Sequence, residues 1–361
     1  MKKLIIFIGF LFMLVYFIMS WKKEYLIGTS LPLEGIMKEM GDSVKIGTKT
    51  ASFKFNEKNV KYLFLDDKYE PKLTKDNILS LYEKNVFLLY GIVGTPTVKN
   101  ILTFLEEKGL FLYAPFSGAE FLRKNKNVVN FRASYKDEIK KIVKFLVKRN
   151  IKRIAVFYQN DEYGNEIYYR TYEVLKDKNI TLCAVGTYKR NTFFITSALN
   201  EISKKRPQAI IMASTSKVSA LFIEKYRKIN PHTVFCTISF VNPDSLVKIL
   251  KNTDNIIFSE VVPYYYDEKI KEASLFTEKL KKRYPQEKPT FFAFEAYLAN
   301  KVLLNAFTKL TFPHTPSHLI DIIKNTKSDF LNGIKLKYKN NQLMNKTYLF
   351  VYEDGKFKEL K

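Results

Sequence analysis

The fold is decided by residues 87–124, whose sequence is FLLYGIVGTPTVKNILTFLEEKGLFLYAPFSGAEFLRK. Two short apolar runs, Phe87–Gly91 and Leu110–Ala114, have the length and composition of buried β-strands. Each run is followed by a polar turn and then by an amphipathic stretch that favours a helix. The order strand, turn, helix, strand predicts a βαβ unit, in which the two strands lie parallel and helices cover them.

The same alternation extends along the chain in both directions from this stretch. The other predicted strands are Tyr25–Ser30, Tyr62–Asp66, Ile154–Gln159, Ile180–Thr187, Ala209–Ala213, Val234–Ser239 and Ile256–Val262. Nine strands are many for one sheet, and the pattern restarts near Lys136. We therefore expect an α/β fold with two doubly wound parallel-sheet lobes.

The C-terminal part departs from this alternation. A long apolar helix is predicted at Phe291–Leu310 and a second helix at Ser317–Thr326, followed by antiparallel strands at Ile334–Tyr338 and Tyr348–Glu353. Such a tail must pack back onto the lobes, so we expect the chain to cross between them repeatedly through a multi-strand hinge. The expected division is 24–137 plus about 267–330 for lobe 1, and 138–266 plus about 331–361 for lobe 2.

Residues 1–21 are predicted to be a signal peptide or an N-terminal anchor. A basic start, Met1-Lys2-Lys3, precedes the uncharged run from Leu4 to Met19. This run is long for a secretory core of about 7–15 residues and short for a spanning helix of about 17–25 residues. We expect a periplasmic or otherwise extracytoplasmic protein, tethered to the cytoplasmic membrane by residues 4–19 if these are retained.

The positive charge is spread over the whole chain. Lys and Arg number 60 against 36 for Asp and Glu, which gives a formal net charge of +24. Such an excess raises the question of a nucleic acid or an anionic surface as a partner. The sequence contains no RNP-like string, paired-cysteine zinc module or basic region with heptads. We interpret the charge as background amino-acid usage and expect no nucleic-acid partner.

No catalytic, metal or cofactor set is evident in the sequence. The strings GxSxG, HExxH, CxxC, GxGxxG and the P-loop are absent. His314, His318 and Asp321 have a spacing suited to a metal site on a helix, but two prolines interrupt that helix. Cys183 and Cys236 lie in apolar strand-like runs, where a free buried thiol is the common state. We therefore expect a protein that is not an enzyme and needs no cofactor or metal.

Two turns within residues 87–124 are suited to binding an anion. Thr95 is predicted to cap a helix with Pro96 in its first turn, and Ser117 with Glu120 matches a capping box. Gly118 would let a ligand approach the backbone closely. Both turns follow parallel strands, at the sheet edge where open α/β folds bind ligands. Hydroxyls and free N–H groups at two helix N-termini favour a carboxylate, although the same residues would also serve as plain helix caps.

The second lobe places polar and aromatic residues at the corresponding edge. Tyr163 follows the strand Ile154–Gln159, and its ring and hydroxyl either reach across the cleft or pack locally. The loop Ser239–Asp244 follows a later strand, with Asn242 as a helix cap. These residues are predicted to lie on the same rim as the anion-binding turns.

Nine segments in chain order resemble one known family. They are Ile27–Gly47, Leu65–Pro71, Gly91–Thr97, Ala114–Arg123, Phe131–Glu138, Ile154–Gly164, Thr237–Val241, Ser259–Pro263 and Phe294–Ala299. The family is the leucine/isoleucine/valine group of type I periplasmic binding proteins, the solute-binding subunits of branched-chain amino-acid ABC transporters. The resemblance implies a bilobal clamshell with three hinge crossings, closure on a small ligand, and an ABC permease as partner.

The resemblance also implies roles for individual residues. Thr95, Ser117 and the Gly118 amide would hold the ligand carboxylate, and the carbonyl of Phe116 would accept the α-amino group. Tyr163 would close over the ligand from the second lobe.

Two departures from the family pattern leave the ligand class open. The loop that starts with Ser239 and Phe240 would line the opposite wall. Family members specific for aliphatic amino acids often carry an acidic residue near this loop to pair with the ammonium group, but its residues 239–242 are Ser-Phe-Val-Asn. Met40 stands where an aromatic side chain often covers the pocket. The expected ligand is a small carboxylate, either an amino acid or an aromatic or other organic acid. A membrane-tethered ligand sensor of the same fold is the alternative function.

Overall fold

A computed structural model describes residues 24–53, 55, 59–176 and 178–360; the predicted signal or anchor at residues 1–21 lies outside them. The strands are β1 Glu24–Leu31, β2 Asn59–Asp66, β3 Leu88–Tyr90, β4 Leu112–Tyr113, β5 Val128–Val129, β6 Arg153–Gln159, β7 Thr181–Tyr188, β8 Ala209–Ala213, β9 Val234–Thr237, β10 Ile256–Glu260, β11 Tyr348–Glu353 and β12 Lys356–Glu359. The helices are α1 Lys38–Ala51, α2 Pro71–Glu83, α3 Thr95–Lys99, α4 Leu102–Lys108, α5 Glu120–Lys124, α6 Tyr135–Lys148, α7 Glu162–Leu175, α8 Thr196–Lys205, α9 Ser216–Arg227, α10 Pro243–Ile249, α11 Lys271–Arg283, α12 Phe291–Lys309 and α13 Pro316–Lys324.

The strands form two separate open sheets. The first sheet has the order β2-β1-β3-β4-β5, with all neighbours parallel. The second has the order β12-β11-β10-β9-β8-β6-β7 and is parallel except for β11 and β12 at one edge. Helices connect the parallel strands, as such connections require. The predicted fold class, two doubly wound lobes, is confirmed.

The chain passes between the two lobes three times. It leaves the first sheet after β5, returns after β10 to place α11–α13 against lobe 1, and crosses again to form β11 and β12. Helix α12 is fixed to the first sheet because the hydroxyls of Tyr90 and Tyr113 donate to the carbonyls of Ala296 and Ala299, at 2.9 and 3.1 Å. The predicted division between residues 137 and 138 falls inside α6, and the lobe boundaries remain a prediction.

The C-terminal hairpin differs from the sequence expectation. The predicted strand at Ile334–Tyr338 is wrong, because this segment makes only an isolated bridge between Leu331 and Ile334. Ile334 and Leu336 are buried in an irregular crossing segment, and their spacing mimics the alternation of a strand. Strand β11 pairs instead with β12 around a turn at Asp354 and Gly355, both with positive φ.

Helix α12 is the most extensively buried helix of lobe 1. Its apolar residues face the core on nearly every side, and it packs against α1. Asn300 links the two helices, since its amide donates to the carbonyl of Thr48 at 2.8 Å. In the part of the chain that the structure describes, no helix has the length and apolarity needed to cross a bilayer.

Candidate functional site

The loops after β3 and β4 bring three predicted site residues together in a polar clamp, formed by Thr95, Ser117 and Gly118. The hydroxyl oxygens of Thr95 and Ser117 lie 2.8 Å apart, and both side chains are fully buried. The two loops are held side by side because the Gly94 amide donates to the carbonyl of Phe116 at 3.2 Å. The carbonyl predicted to accept an amino group therefore already has one protein donor.

The predicted helix-capping roles of the clamp residues are wrong. Gly94 is the N-cap of α3, and Thr95 is the first residue inside that helix. Ala119 is the N-cap of α5, so Ser117 and Glu120 do not form a capping box. The first turn is one residue shorter, and the second two residues longer, than the capping patterns predict. Neither clamp hydroxyl is an N-cap, although the Ser117 oxygen accepts from the Ala119 amide at 3.4 Å.

Four rings from both lobes form an aromatic wall beside the clamp: Tyr69, Tyr135, Tyr163 and Phe240. Ring centroids are 5.6 Å apart for Tyr135 and Tyr163, 4.7 Å for Tyr163 and Phe240, and 6.0 Å for Tyr69 and Phe240. All four residues are at most 1% exposed. Since Tyr69 belongs to lobe 1 and Tyr163 and Phe240 to lobe 2, the two lobes are closed on each other here.

Glycines allow two of these rings to lie against the clamp loops. Gly94 has φ +106°, and a Cβ atom there would come within 2.4 Å of the Tyr69 ring. A Cβ atom on Gly118 would come within 2.5 Å of the Tyr135 ring. Any larger residue at either position would push a ring out of the site.

The end of β6 positions Tyr163. Asp161 caps α7, and its carboxylate accepts from the amides of Tyr163 and Gly164 at 3.0 and 3.3 Å. Burial raises the pKa of Asp161 to about 6. The amide of Gln159 donates to the Tyr69 hydroxyl at 3.3 Å, which links the two lobes. This cap fixes the backbone at Tyr163, and the predicted contact of Tyr163 with a ligand stays a prediction.

Several buried donors around the clamp have no hydrogen-bond partner among the described residues. They are the hydroxyls of Tyr135 and Tyr163 and the Nη1 group of Arg132. The Arg132 guanidinium lies 6.0 Å from the centre of the Phe116 ring, next to the clamp loop. Burial raises the pKa of both tyrosines, so their hydroxyls stay protonated. Buried polar groups are normally paired, so these donors suit a polar ligand.

A second polar group, the hinge cluster, lies where the crossings meet and consists of Arg132, Glu138, Ser239, Glu260 and Glu295. Arg132 Nε is 3.1 Å from Glu295 Oε1, and its Nη2 donates to the Ser239 hydroxyl at 2.9 Å. The backbone N–H and the hydroxyl of Ser239 both donate to Glu138 at 2.8 Å. Burial raises the pKa of Glu295 to about 7 and also raises that of Glu138. Ser239, predicted to line the ligand site, is therefore bound within this cluster.

Met40 closes one end of the aromatic wall. It is buried on α1 and shares a small pocket with Phe240, Val241 and Asn242. The pocket measures about 10 Å³, room for roughly one water molecule. Met40 and Phe240 thus lie side by side, and their roles toward a ligand stay a prediction.

The other candidate residues of the sequence lie apart from this site. The Nδ1 atom of His314 is 2.7 Å from the Tyr25 hydroxyl, and that of His318 is 3.2 Å from the Pro313 carbonyl. Among the described residues, no group of three His, Cys, Asp or Glu is arranged to hold a metal ion. Cys183 and Cys236 are free and lie on strands separated by two others, beyond the reach of a disulfide.

The sequence analysis does not identify three residues of the site: Tyr69, Tyr135 and Arg132. Tyr69 sits in a turn with φ +64°, a conformation that no local pattern announces. Tyr135 resembles an ordinary core residue at the start of a helix. Arg132 is the one informative case, because a cation between apolar residues in FRASY indicates a buried partner.

Comparisons with known proteins agree with this architecture. The model of a family described as periplasmic binding protein matches residues 24–356. A possible leucine/isoleucine/valine-binding protein from Rhodopirellula baltica SH 1 is 26% identical, with a TM-score of 0.89 over 94% of this chain and 97% of that chain. No curated protein matches the sequence.

Two more distant structures share the fold. The branched-chain amino acid transporter substrate binding protein LivJ from Streptococcus pneumoniae, in complex with isoleucine, is 16% identical with a TM-score of 0.81, over 94% of this chain and all of that one (100%). An ABC transporter solute binding protein from R. palustris, in complex with benzoate, is also 16% identical, with a TM-score of 0.82 over 94% and 96% of the two chains. Members of this family bind solutes and are not enzymes. From its two lobes, its three crossings and the match over residues 24–356, the chain belongs to the periplasmic binding protein family.

Proposed function

We propose that this chain is the exported solute-binding protein of an ABC transporter and that it holds a small carboxylate ligand between its closed lobes. The clamp is the observation that carries the proposal. Its two hydroxyls contact each other and do not cap helices. A carboxylate accepts hydrogen bonds from such groups readily, as anions do at helix N-termini.

The surroundings of the clamp favour an organic acid with an aromatic or apolar body over an amino acid. The Phe116 carbonyl accepts from Gly94, and Glu138 is occupied by both donors of Ser239. An ammonium group would therefore find few free acceptors, whereas the aromatic wall offers apolar contact. The related protein from R. palustris is described as a benzoate complex, which gives this ligand class a precedent within the fold.

Thermal denaturation of residues 24–361 with a panel of amino acids and aromatic or aliphatic carboxylates tests the proposal. A ligand at about 100 times its dissociation constant adds about 2.7 kcal/mol to the free energy of unfolding and raises the midpoint. We expect the largest shift with an aromatic carboxylate, and its loss in Ser117→Ala. The matched control is Ser203→Ala, whose hydroxyl donates to the Leu199 carbonyl in α8.

The panel separates the two ligand classes. Shifts only with amino acids would still support carboxylate binding by the clamp, but they would contradict the preference for organic acids. A shift that survives in Ser117→Ala as fully as in the control Ser203→Ala would contradict the clamp itself. No shift with any compound, in folded protein freed of carried-over ligand, would contradict the transport function.

The family implies an extracytoplasmic location, and we propose that residues 4–19 either direct export or tether the protein next to its permease. The apolar run and the basic start are the supporting features. N-terminal sequencing of the protein recovered from cells decides between cleavage and a retained anchor. A start at Met1 in the membrane fraction supports the tether, and a start near residue 21 supports cleavage.

A further inference from the structure

Helices α6 and α7 border an open groove of about 790 Å³ on the surface of lobe 2. Lys136, Lys140, Lys144 and Lys148 recur every four residues along the same face of α6, and Lys178 stands at the far side of the groove. At 1.5 Å of rise per residue, the lysine row is roughly 18 Å long. We call this surface the lysine groove.

Most of these lysines have no anionic partner. Among the described residues that line the groove, Glu173 is the acidic one, and it already binds Lys136 and Arg170. Among the described residues, Lys140, Lys144 and Lys148 form no ion pair, and all three are exposed. Among the residues that the structure describes, the lining of the groove therefore carries an excess of positive charge.

The floor between the lysines is apolar. Three valines line it, Val143, Val147 and Val174, and Val147 is 46% exposed. A smaller pocket on the other flank of α6 repeats the combination, with Lys141 beside Phe145. Charged heads on flexible stems around exposed apolar groups are typical of surfaces that lie at a membrane interface.

The composition of the chain as a whole does not explain this arrangement. A groove of about 670 Å³ between α1 and α10 also contains lysines, but Glu39, Asp42 and Glu287 lie among them. There the two signs are mixed, as expected for background usage of lysine. The excess in the lysine groove is therefore a local feature, which the even distribution of lysine along the sequence conceals.

We propose that the lysine groove docks on the anionic surface of a phospholipid membrane. Its charge complements acidic headgroups, and its length allows several of them to be contacted at once. Lysine ammonium groups are point charges that accept phosphates in many geometries, which suits a fluid surface better than a single shaped ligand. An acidic segment of a protein partner would match the charge but has no counterpart for the exposed Val147.

Sedimentation with vesicles tests the proposal. Residues 24–361 contain every helix and strand that the structure describes and the whole family match, and they lack the apolar run that would insert into any bilayer. This protein is mixed with vesicles of phosphatidylcholine alone or with added phosphatidylglycerol. We expect binding only with phosphatidylglycerol, weakened by salt. The triple variant Lys140→Gln, Lys144→Gln, Lys148→Gln should bind on the order of 100-fold more weakly, from about fivefold per lysine near an anionic surface.

A matched variant separates local docking from total charge. Lys271→Gln, Lys281→Gln and Lys335→Gln remove three equally exposed lysines elsewhere and should change binding by no more than a few-fold. Both triple variants should keep the thermal midpoint and the ligand shift of the parent protein. Equal losses in the two variants would overturn the proposal in favour of non-specific attraction. No binding to phosphatidylglycerol at low salt would also overturn it and point to an acidic protein segment as the occupant.

Discussion

The clamp and the hinge cluster are both buried and polar, but they use their hydrogen-bonding groups differently. In the hinge cluster Ser239 gives both of its donors to Glu138, and Arg132 spans Ser239 and Glu295. In the clamp, Thr95 and Ser117 contact mainly each other. Most groups of the hinge cluster pair with one another, with Glu260 Oε1 and Arg132 Nη1 as exceptions. Such internal pairing contributes to the folded state, whereas a site with spare donors can gain hydrogen bonds from a ligand. Stability should therefore depend on the hinge cluster, and affinity on the clamp and its neighbouring tyrosines.

The strongest test of this contrast is Arg132→Ala. It leaves Glu295 as an uncompensated buried charge next to Glu138, which costs about 3–5 kcal/mol of unfolding free energy. Urea denaturation measures the loss, with Arg149→Ala as a control, because Arg149 is exposed and stacks on Phe145. A variant that keeps its stability but no longer binds ligand would instead place Arg132 in the clamp, through its free Nη1 group.

The pH dependence of stability provides a second test, at Glu260. Burial, and next the charge of Glu138, raise the pKa of this carboxyl well above 4.5, while Arg132 opposes the rise. The folded protein then holds a proton that the unfolded chain releases, so the free energy of unfolding falls as pH rises above about 4.5. Glu260→Gln should flatten this fall by up to about 1.4 kcal/mol per pH unit.

Denaturation curves collected between about pH 5 and pH 7 measure the slope. The exposed residue Glu268 supplies the control variant Glu268→Gln, which should leave the slope unchanged. An unchanged slope in Glu260→Gln would mean that the hinge cluster does not hold a proton at this position.

Tyr163→Phe tests whether a spare donor in the cleft contributes to ligand affinity and not to stability. The Tyr163 hydroxyl has no partner among the described residues, so its removal should leave the free protein as stable as before, or more stable by about 1 kcal/mol. The same change should weaken ligand binding about tenfold, the value of one hydrogen bond to a charged group. Calorimetric titration and thermal denaturation measure the two quantities.

Tyr188→Phe should behave in the opposite way. The Tyr188 hydroxyl donates to Gln159 Oε1 at 3.1 Å and accepts from the Thr215 amide at 3.1 Å. Its loss leaves those buried groups unpaired, so we expect lower stability with little change in affinity. If both phenylalanine variants lost stability alike, spare donors in the cleft would not mark a ligand site.

The sequence predicts the framework of this site better than its interior. The strand–turn–helix order places Thr95 and Ser117 at neighbouring strand ends, and the structure brings them together. The aromatic wall depends on tertiary packing, which brings Tyr69 into contact with Phe240 although the two residues are far apart in the sequence. No local pattern encodes that contact. The glycines that make room for the rings are visible in the sequence, but what they accommodate is not.

The hinge cluster was accessible to sequence analysis only in part. Arg132 in an apolar segment indicates a buried partner, yet Glu138, Glu260 and Glu295 each lie on a different element and look like surface carboxylates. Likewise, the lysines of α6 were predicted to be part of an even background. Their grouping depends on the helical spacing together with the position of α7, and this requires the fold.

The smallest expected effect lies at the rim of the cleft, at Glu70. The Glu70 carboxylate, in lobe 1, accepts hydrogen bonds from two residues of lobe 2, Arg190 Nη2 at 2.8 Å and the Asn191 side-chain amide. The Glu70 side chain is 42% exposed. An exposed ion pair contributes about 0.2–1 kcal/mol. Glu70→Gln should therefore raise the dissociation constant of the ligand by no more than about fivefold, and less at high salt. The unliganded stability should not change.

Calorimetric titration at two salt concentrations measures this effect, with Glu107→Gln on the exposed face of α4 as the control. The ranking of the variants matters more than any single value. If Glu70→Gln weakened binding as much as Tyr163→Phe, the free energy of closure would come from contacts at the rim. The clamp would then select the ligand without contributing most of the affinity, because closing the lobes, and not contacting the carboxylate, would be the costly step.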